Sequence, residues 1–367
     1  METRAIIEKH RDWNQSGMNS QVTAPPLKNI KRRMSPRTLF WILVAVIAVF
    51  AVIFIWPSWQ HSETHSFDIG SDDHTIVFDA DGKGGSGIYA LDLTTGKIKL
   101  VIDTDLGEFN PTLSPDMKTV CFSGSRDAIK GAHLYICSLD GTRFRQLTKG
   151  AGVFDRAPCF TPDGKQIVFS RAGLLRDRSM GGKSWNSWDI WVLDLKSGKT
   201  KQITHGQYYS VGDPKVMSDG KSVIFTDHIY NQQKSTDDIS VVSLDGFKPP
   251  KHVTQEGDYT QFDVVKTNGD ILFISMRNSE KRTGGGLFEY EIWRMQKDGS
   301  KQTEVTQLRS FLSHVRSFST GAEALCFDDP SRGNNEQLLR VDLKTGKATK
   351  VAGPDLFQDP LNWKPER

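Results

Sequence analysis

Eight aromatic residues fall on segments expected to connect strands, where a large rigid ring can grip a partner: Trp185, Trp188, Tyr208, Tyr209, Tyr230, Tyr259, Phe288 and Phe311. Four histidines, His133, His205, His228 and His314, offer imidazoles that can bind a metal or move a proton. Their spacing reproduces no metal motif such as H-E-x-x-H, and no G-x-S-x-G nucleophile elbow occurs. GKGGSG (82–87) joins two expected strands, so no helix N-terminus is available to cradle a phosphate. Asp79-x-Asp81-Gly82 lacks the downstream Glu of a calcium loop and reads as a turn. The chemistry these residues suit is partner binding, with no catalytic residue, no metal and no cofactor expected.

The elements that must position them recur. A strand, a tight turn and a second strand are spelled at 67–80, 113–124, 160–171, 216–227, 264–275 and 317–329, as in FTPDGKQIVFSR (160–171). Each is followed by another strand, turn and strand, at 87–101, 133–148, 189–204, 238–254, 291–306 and 337–352, as in DIWVLDLKSGKTKQIT (189–204). Asp and Gly tolerate the positive φ that a chain reversal needs, and the flanking runs are rich in Val, Ile, Phe and Tyr. Runs such as IVFS are apolar at consecutive positions, which a sheet with one wet face would not require. Both faces must be covered, and a period of about fifty residues points to radial packing. The expected fold is all-β: a six-bladed β-propeller of four-stranded antiparallel blades over 67–367. The tail QDPLNWKPER (358–367) reads as an opening strand that closes the ring beside the first blade; a seventh, incomplete blade is the alternative.

Polarity follows from the turns. Within half-repeats they are tight and share one rim, whereas 171–188, 204–213, 227–238 and 276–291 read as long loops on the other, where binding usually resides. Phe109, Phe154, Tyr209, Tyr259, Phe311 and Phe357 each precede an inner strand, and Asn110, Asp155, Asp213 and Asp359 follow closely in four of the six, either as packing between repeats or as an aromatic and carboxylate rim around the channel mouth, suited to a peptide or sugar.

SPD and TPDGK followed by IVFS, then DIWVLDL and QIT, resembles the TolB-like propeller repeat over about residues 65–365. The fifth and sixth copies (KTNGD, STGAE) lose the Pro-Asp pair. The resemblance is to the repeat and implies a propeller, and the partners of TolB do not transfer with it. A rigid array with long aromatic loops and no catalytic motif points to a binding or scaffold role toward a protein or cell-envelope polymer. The resemblance also implies the alternative of a metal-dependent polysaccharide lyase or hydrolase using rim histidines, as in oligogalacturonate lyases.

Residues 39–56, LFWILVAVIAVFAVIFIW, are uncharged, and thirteen of the first seventeen are Leu, Ile, Val or Phe. These favour membrane insertion by about 4–8 kcal/mol, and the run is long enough to cross the hydrocarbon core. No small-x-small cleavage site follows Trp56-Pro57-Ser58-Trp59, so the segment is expected to stay as an anchor. Lys28, Lys31, Arg32, Arg33 and Arg37 precede it, whereas 57–76 holds no Lys or Arg. The positive-inside rule then gives a flexible cytoplasmic tail (1–37), a transmembrane helix (38–58), a linker (59–66) and a propeller beyond the bacterial inner membrane. The tail carries eight Lys/Arg against three Asp/Glu, out of totals of 47 and 44, which leaves 39 against 41, or −2, for the rest. That balance argues against a nucleic-acid partner. Cys121, Cys137, Cys159 and Cys326 lack CxxC spacing and lie in apolar strand patterns as buried thiols; an oxidising compartment would permit only a Cys121–Cys137 bridge, between neighbouring strands.

Overall fold

Consecutive apolar runs are buried on both sides, as their lack of alternation demands. In the computed structural model Ile167, Val168, Phe169 and Ser170 are all fully buried, and so is every residue of 271–275. Successive side chains on that strand face different neighbours, as the twofold strand period requires. Ile271 and Phe273 join a cluster with Ile224 and Tyr259, whereas Leu272 and Ile274 join Leu312, Cys326 and Val341. The structure describes residues 65–82, 85–177, 183–230, 235–254, 259, 261–276, 289–330 and 335–365. Among these no helix is long and apolar enough to cross a membrane; the expected tail and anchor lie outside the described residues.

The first sheet is antiparallel in chain order, β1 (Phe67–Ile69), β2 (Thr75–Gly82), β3 (Gly85–Asp92) and β4 (Lys97–Ile102). The second has eight strands: β5 (Gly107–Leu113), β6 (Thr119–Asp127), β7 (Gly131–Ser138), β8 (Arg145–Gln146), β9 (Phe154–Phe160), β10 (Gln166–Asp177), β11 (Lys183–Asp194) and β12 (Thr200–Gln202). The third contains β13 (Ser210–Val211), β14 (Lys215–Val216), β15 (Ser222–Tyr230), β16 (Ser235–Ser243) and β17 (Lys251–His252). The fourth runs β18 (Gln261–Val264), β19 (Ile271–Ser275), β20 (Glu291–Met295) and β21 (Thr303–Glu304). The fifth runs β22 (Leu312–Ser317), β23 (Glu323–Asp328), β24 (Gln337–Asp342) and β25 (Ala348–Ala352).

This is an all-β propeller of small antiparallel sheets, but the sheet count departs from six separate four-stranded ones. Three sheets have four strands; the third has five because its inner strand breaks at Gly212 and Asp213. The second has eight because a single parallel bridge, Ala132↔Phe154, joins β7 to β9. Apolar clusters lie between successive groups of strands around the ring. One of them packs Phe67, Phe78 and Tyr89 of the first sheet against Leu325, Phe327 and Leu338 of the fifth. Ser319 N–H also donates to Asp73 Oδ1 at 2.7 Å, so the first and last sheets meet directly.

Two further expectations are corrected. The tail forms no strand among its described residues, 358–365: a short helix α1 (Asp355–Gln358) places Phe357 in the seam between first and last sheets, with Trp363 against the same cluster. Pro360 and Pro365 cannot donate to a ladder, which disfavours a strand there. The segments 171–188 and 227–238 are largely extensions of the β10–β11 and β15–β16 hairpins rather than open loops, with pairing out to Asp177↔Lys183 and Tyr230↔Ser235. A Cys121–Cys137 bridge is excluded by register. Cys137 pairs with Val120 and Cys121 with Ile136, so the two thiols enter different clusters on opposite faces of one sheet. All four cysteines are free.

The QLT, QIT, HVT and EVT motifs end in a threonine that acts as an internal clasp. Thr148, Thr204, Thr254 and Thr306 each accept, through Oγ1, the N–H of Leu134, Ile190, Ile239 or Ile292 at 2.8–2.9 Å. The Thr204 and Thr306 hydroxyls donate onward to Asp189 (2.7 Å) and Glu291 (2.6 Å). Replacing Thr306 by Val should leave the Ile292 N–H and a buried carboxylate short of one partner, destabilising the protein by about 1–3 kcal/mol in chemical denaturation. Thr142→Val, at an exposed turn, should change it by less than about 0.5 kcal/mol.

Candidate functional site

The inner strands converge on a central funnel. Its wider chamber, about 440 Å³, is lined by residues from around the whole ring, including Asp79, Phe109, Arg156, Asp213, His228 and Arg316. A second chamber of about 310 Å³ on the side of the tight turns is lined by Asp68, Cys159, Lys215, Asp263 and again Arg316. Arg316 therefore stands between the two.

Local backbone geometry aims these side chains. Asn110, Ala157 and His314 have φ of 50°, 52° and 51°, and the β5–β6, β9–β10 and β22–β23 ladders each shift register alongside them. Such bulges re-aim side chains and are frequent beside functional sites. The left-handed backbone at Ala157 and His314 costs on the order of 1–2 kcal/mol each. At His314 that geometry turns its N–H onto Gln261 Oε1.

The electrostatics are those of a paired, partly buried cluster. Arg316, only 5% exposed, donates from Nη2 to Asp213 Oδ2 (3.2 Å) and from Nη1 to the Val315 carbonyl (2.9 Å). Burial alone would raise the Asp213 carboxyl, but Arg316, followed by His314, Lys215 and Arg156, outweighs it and holds the group below its usual range. Burial, reinforced by Arg316, pushes His314 down to about 4. Arg156 lies 4.2 Å from the Trp188 ring centre and donates to the Val211 carbonyl (2.8 Å) and Ser210 Oγ (3.3 Å). His228 Nδ1 sits 2.6 Å from Asp237 Oδ1.

Of the expected aromatic contacts, Tyr209 reaches the chamber; it is 44% exposed and its ring lies 5.3 Å from that of His228. Most of the others are drawn into packing. Trp188 is 5% exposed, Trp185 packs on Phe154 and donates to the Ala128 carbonyl, and Tyr208 meets Phe225 edge-on. Tyr259 is buried against Phe273, and Phe311 packs edge-on to Tyr290. Burying their apolar faces between neighbouring hairpins outweighs leaving them wet. Phe288 and the Tyr230 side chain lie outside the described residues. The periodic aromatics mostly follow the packing alternative, with Phe109 and Tyr209 at the chamber wall. His133 faces Asp155 (3.8 Å) and His205 is exposed, whereas His228 and His314 share the chamber. Asp213, one of the carboxylates read from the sequence beside the inner strands, does line the chamber, whereas Arg156 and Arg316 were missed; their signal is an arginine within an inner strand, in FDRAPCF (154–160) and LSHVRS (312–317).

No family model matches the chain. It is 25% identical over 234 residues to the Tol-Pal system protein TolB of Francisella tularensis, a match covering 52% of this chain and 48% of that protein, so the chain spans about half the length of that relative. In three dimensions it resembles TolB from Acinetobacter baumannii, with a TM-score of 0.58 and 16% identity over 77% of this chain and 64% of that one. It also resembles an oligogalacturonate lyase in complex with manganese, with a TM-score of 0.54 and 16% identity over 78% and 76%. The fold is that of a TolB-like β-propeller.

Folded His314 stays neutral down to about pH 4, whereas an imidazole in the unfolded chain titrates near 6.5. Between those values the unfolded state binds the extra proton, so stability contributed at neutral pH is lost as pH falls from about 6.5 to 4. Relative to wild type, His314→Gln should lose less stability across that window, by up to about 1.4 kcal/mol per pH unit, read from denaturation midpoints at successive pH values.

Proposed function

We propose that the protein is a membrane-anchored binding module. Residues 38–58 anchor it in the bacterial inner membrane, 1–37 remain in the cytoplasm, 59–66 form the linker, and the propeller (67–367) engages a protein or cell-envelope polymer on the far side. Counting the eight-stranded sheet as two blades joined by one bridge gives a ring of six. The observation that carries the binding reading is the 440 Å³ chamber, which gathers charged, amide and aromatic groups from around the ring into one polar mouth. A TolB-like fold is compatible with this role.

The second reading, a metal-dependent lyase or hydrolase, rests on the fold shared with oligogalacturonate lyase. His228 and His314 are its best-placed ligands, yet among the described residues no three His, Cys, Asp or Glu side chains converge to hold an ion. The anchor and topology predict that protease added to cells with a permeabilised outer envelope digests the propeller and spares the tail. A photo-crosslinking residue at Tyr209 should yield light-dependent adducts in intact cells that are weakened by Arg156→Ala, whereas one at the outlying, 83% exposed Phe247 should not. Equal adducts at both positions, or none at Tyr209, would remove the chamber as the binding site.

A further inference from the structure

The chamber wall carries an arrangement that binding alone does not use. Ser210 pairs with His228 across β13 and β15, and His228 pairs with Asp237 across β15 and β16. Directly opposed residues of antiparallel strands share a face, with Cβ atoms about 4.5–5.5 Å apart. All three residues line the 440 Å³ chamber. We propose that this row is a Ser–His–Asp site that hydrolyses short-chain acyl esters, the acyl group entering the chamber and the alcohol remaining at its mouth. The proposal goes beyond partner binding and does not depend on it.

Each part of the row has its chemistry. Nδ1 of His228, 2.6 Å from Asp237 Oδ1, gives its hydrogen to that carboxylate, which places the lone pair on Nε2. Ser210 Oγ accepts from Arg156 Nη2 at 3.3 Å and keeps its own hydrogen to donate. The strand pairing sets that hydroxyl opposite the imidazole on one face of the sheet, and catalytic hydrogen bonds tighten when substrate is bound. Ser210 Oγ bonds to the ester carbonyl carbon as its proton passes to Nε2. The resulting oxyanion forms beside the Arg156 guanidinium, which stabilises the charge where it develops. Collapse breaks the bond to the alcohol oxygen, and His228 returns the proton to that leaving oxygen. Water then adds to the acyl carbon, giving a proton to Nε2; Oγ departs and recovers it, releasing the carboxylic acid. Water is the only co-reactant. Asp237 acts by holding the ring in one tautomer, and Tyr209, its ring 5.3 Å from His228, flanks the imidazole.

The test uses the purified full-length chain with p-nitrophenyl acetate and a fluorophosphonate probe. The expected result is covalent labelling of Ser210, located by peptide mapping. Turnover should fall by about 100-fold or more in Ser210→Ala and His228→Gln, and by about tenfold or more in Asp237→Asn, with unchanged thermal midpoints. Turnover of folded Ser210→Ala within about threefold of wild type, labelling at another residue, or no labelling of the folded wild-type protein would overturn the proposal. Should a variant fail to fold, the mapped label on the wild-type chain decides by itself.

Discussion

A small sheet whose middle strand is apolar at every position has no face it can offer to water. The strand Ile271–Ser275 shows the constraint in its simplest form, with five consecutive buried residues, the four apolar ones divided between two clusters. Each sheet must therefore be flanked on both sides, and the only arrangement that flanks the first and last as well is a ring. Phe67 against Phe327, with ring centres 4.8 Å apart, and Phe357 packed on both Phe78 and Phe327 supply that closing contact. Hydrophobic burial drives the closure, while the threonine clasps keep polar backbone within β7, β11, β16 and β20 satisfied inside it.

Closing the ring has a consequence at its axis. Inner strands converge, and side chains that would be solvated at the edge of an open sheet are brought together in a shared, partly desolvated space. Arg316 and Asp213 are 103 residues apart in sequence and meet there at 3.2 Å. Such a pair is tolerated because each charge has a partner, with the Arg316 Nη1–H also satisfied by a backbone carbonyl. The register shifts at Phe109/Thr112 and Ser313/Arg316 add local irregularity where the wall needs side chains turned inward.

The scaffold and the site are separable. A TolB of Acinetobacter and a manganese-bound oligogalacturonate lyase share this fold at 16% identity each, so the architecture fixes where a ligand can bind and leaves its identity to the residues on the wall. In this protein the wall combines an arginine held over Trp188, a buried arginine paired with a half-buried aspartate, and a His–Asp pair beside Tyr209. The tight-turn rim is built differently: Asp163 accepts the Lys165 N–H and the Thr161 hydroxyl, and Gly164, at φ +67°, completes the reversal.

Local sequence determined the strands and turns, because both depend on neighbours within a few positions. IVFS states its two-sided burial directly, and the aspartate of TPDG satisfies its own turn. It also determined which residues recur, down to the terminal threonine of each clasp, although the partner of that hydroxyl became visible only with the strands paired. Tertiary structure alone decided the rest, since packing depends on residues distant in the chain. Trp185, Trp188 and Tyr259 look like a binding surface in sequence, yet neighbouring hairpins offer them apolar cover and they turn inward. Arg156 and Arg316 look like scattered charges, yet ring closure gathers them with Asp213 at one axis, because convergence of inner strands is a property of the closed wheel and of no single repeat.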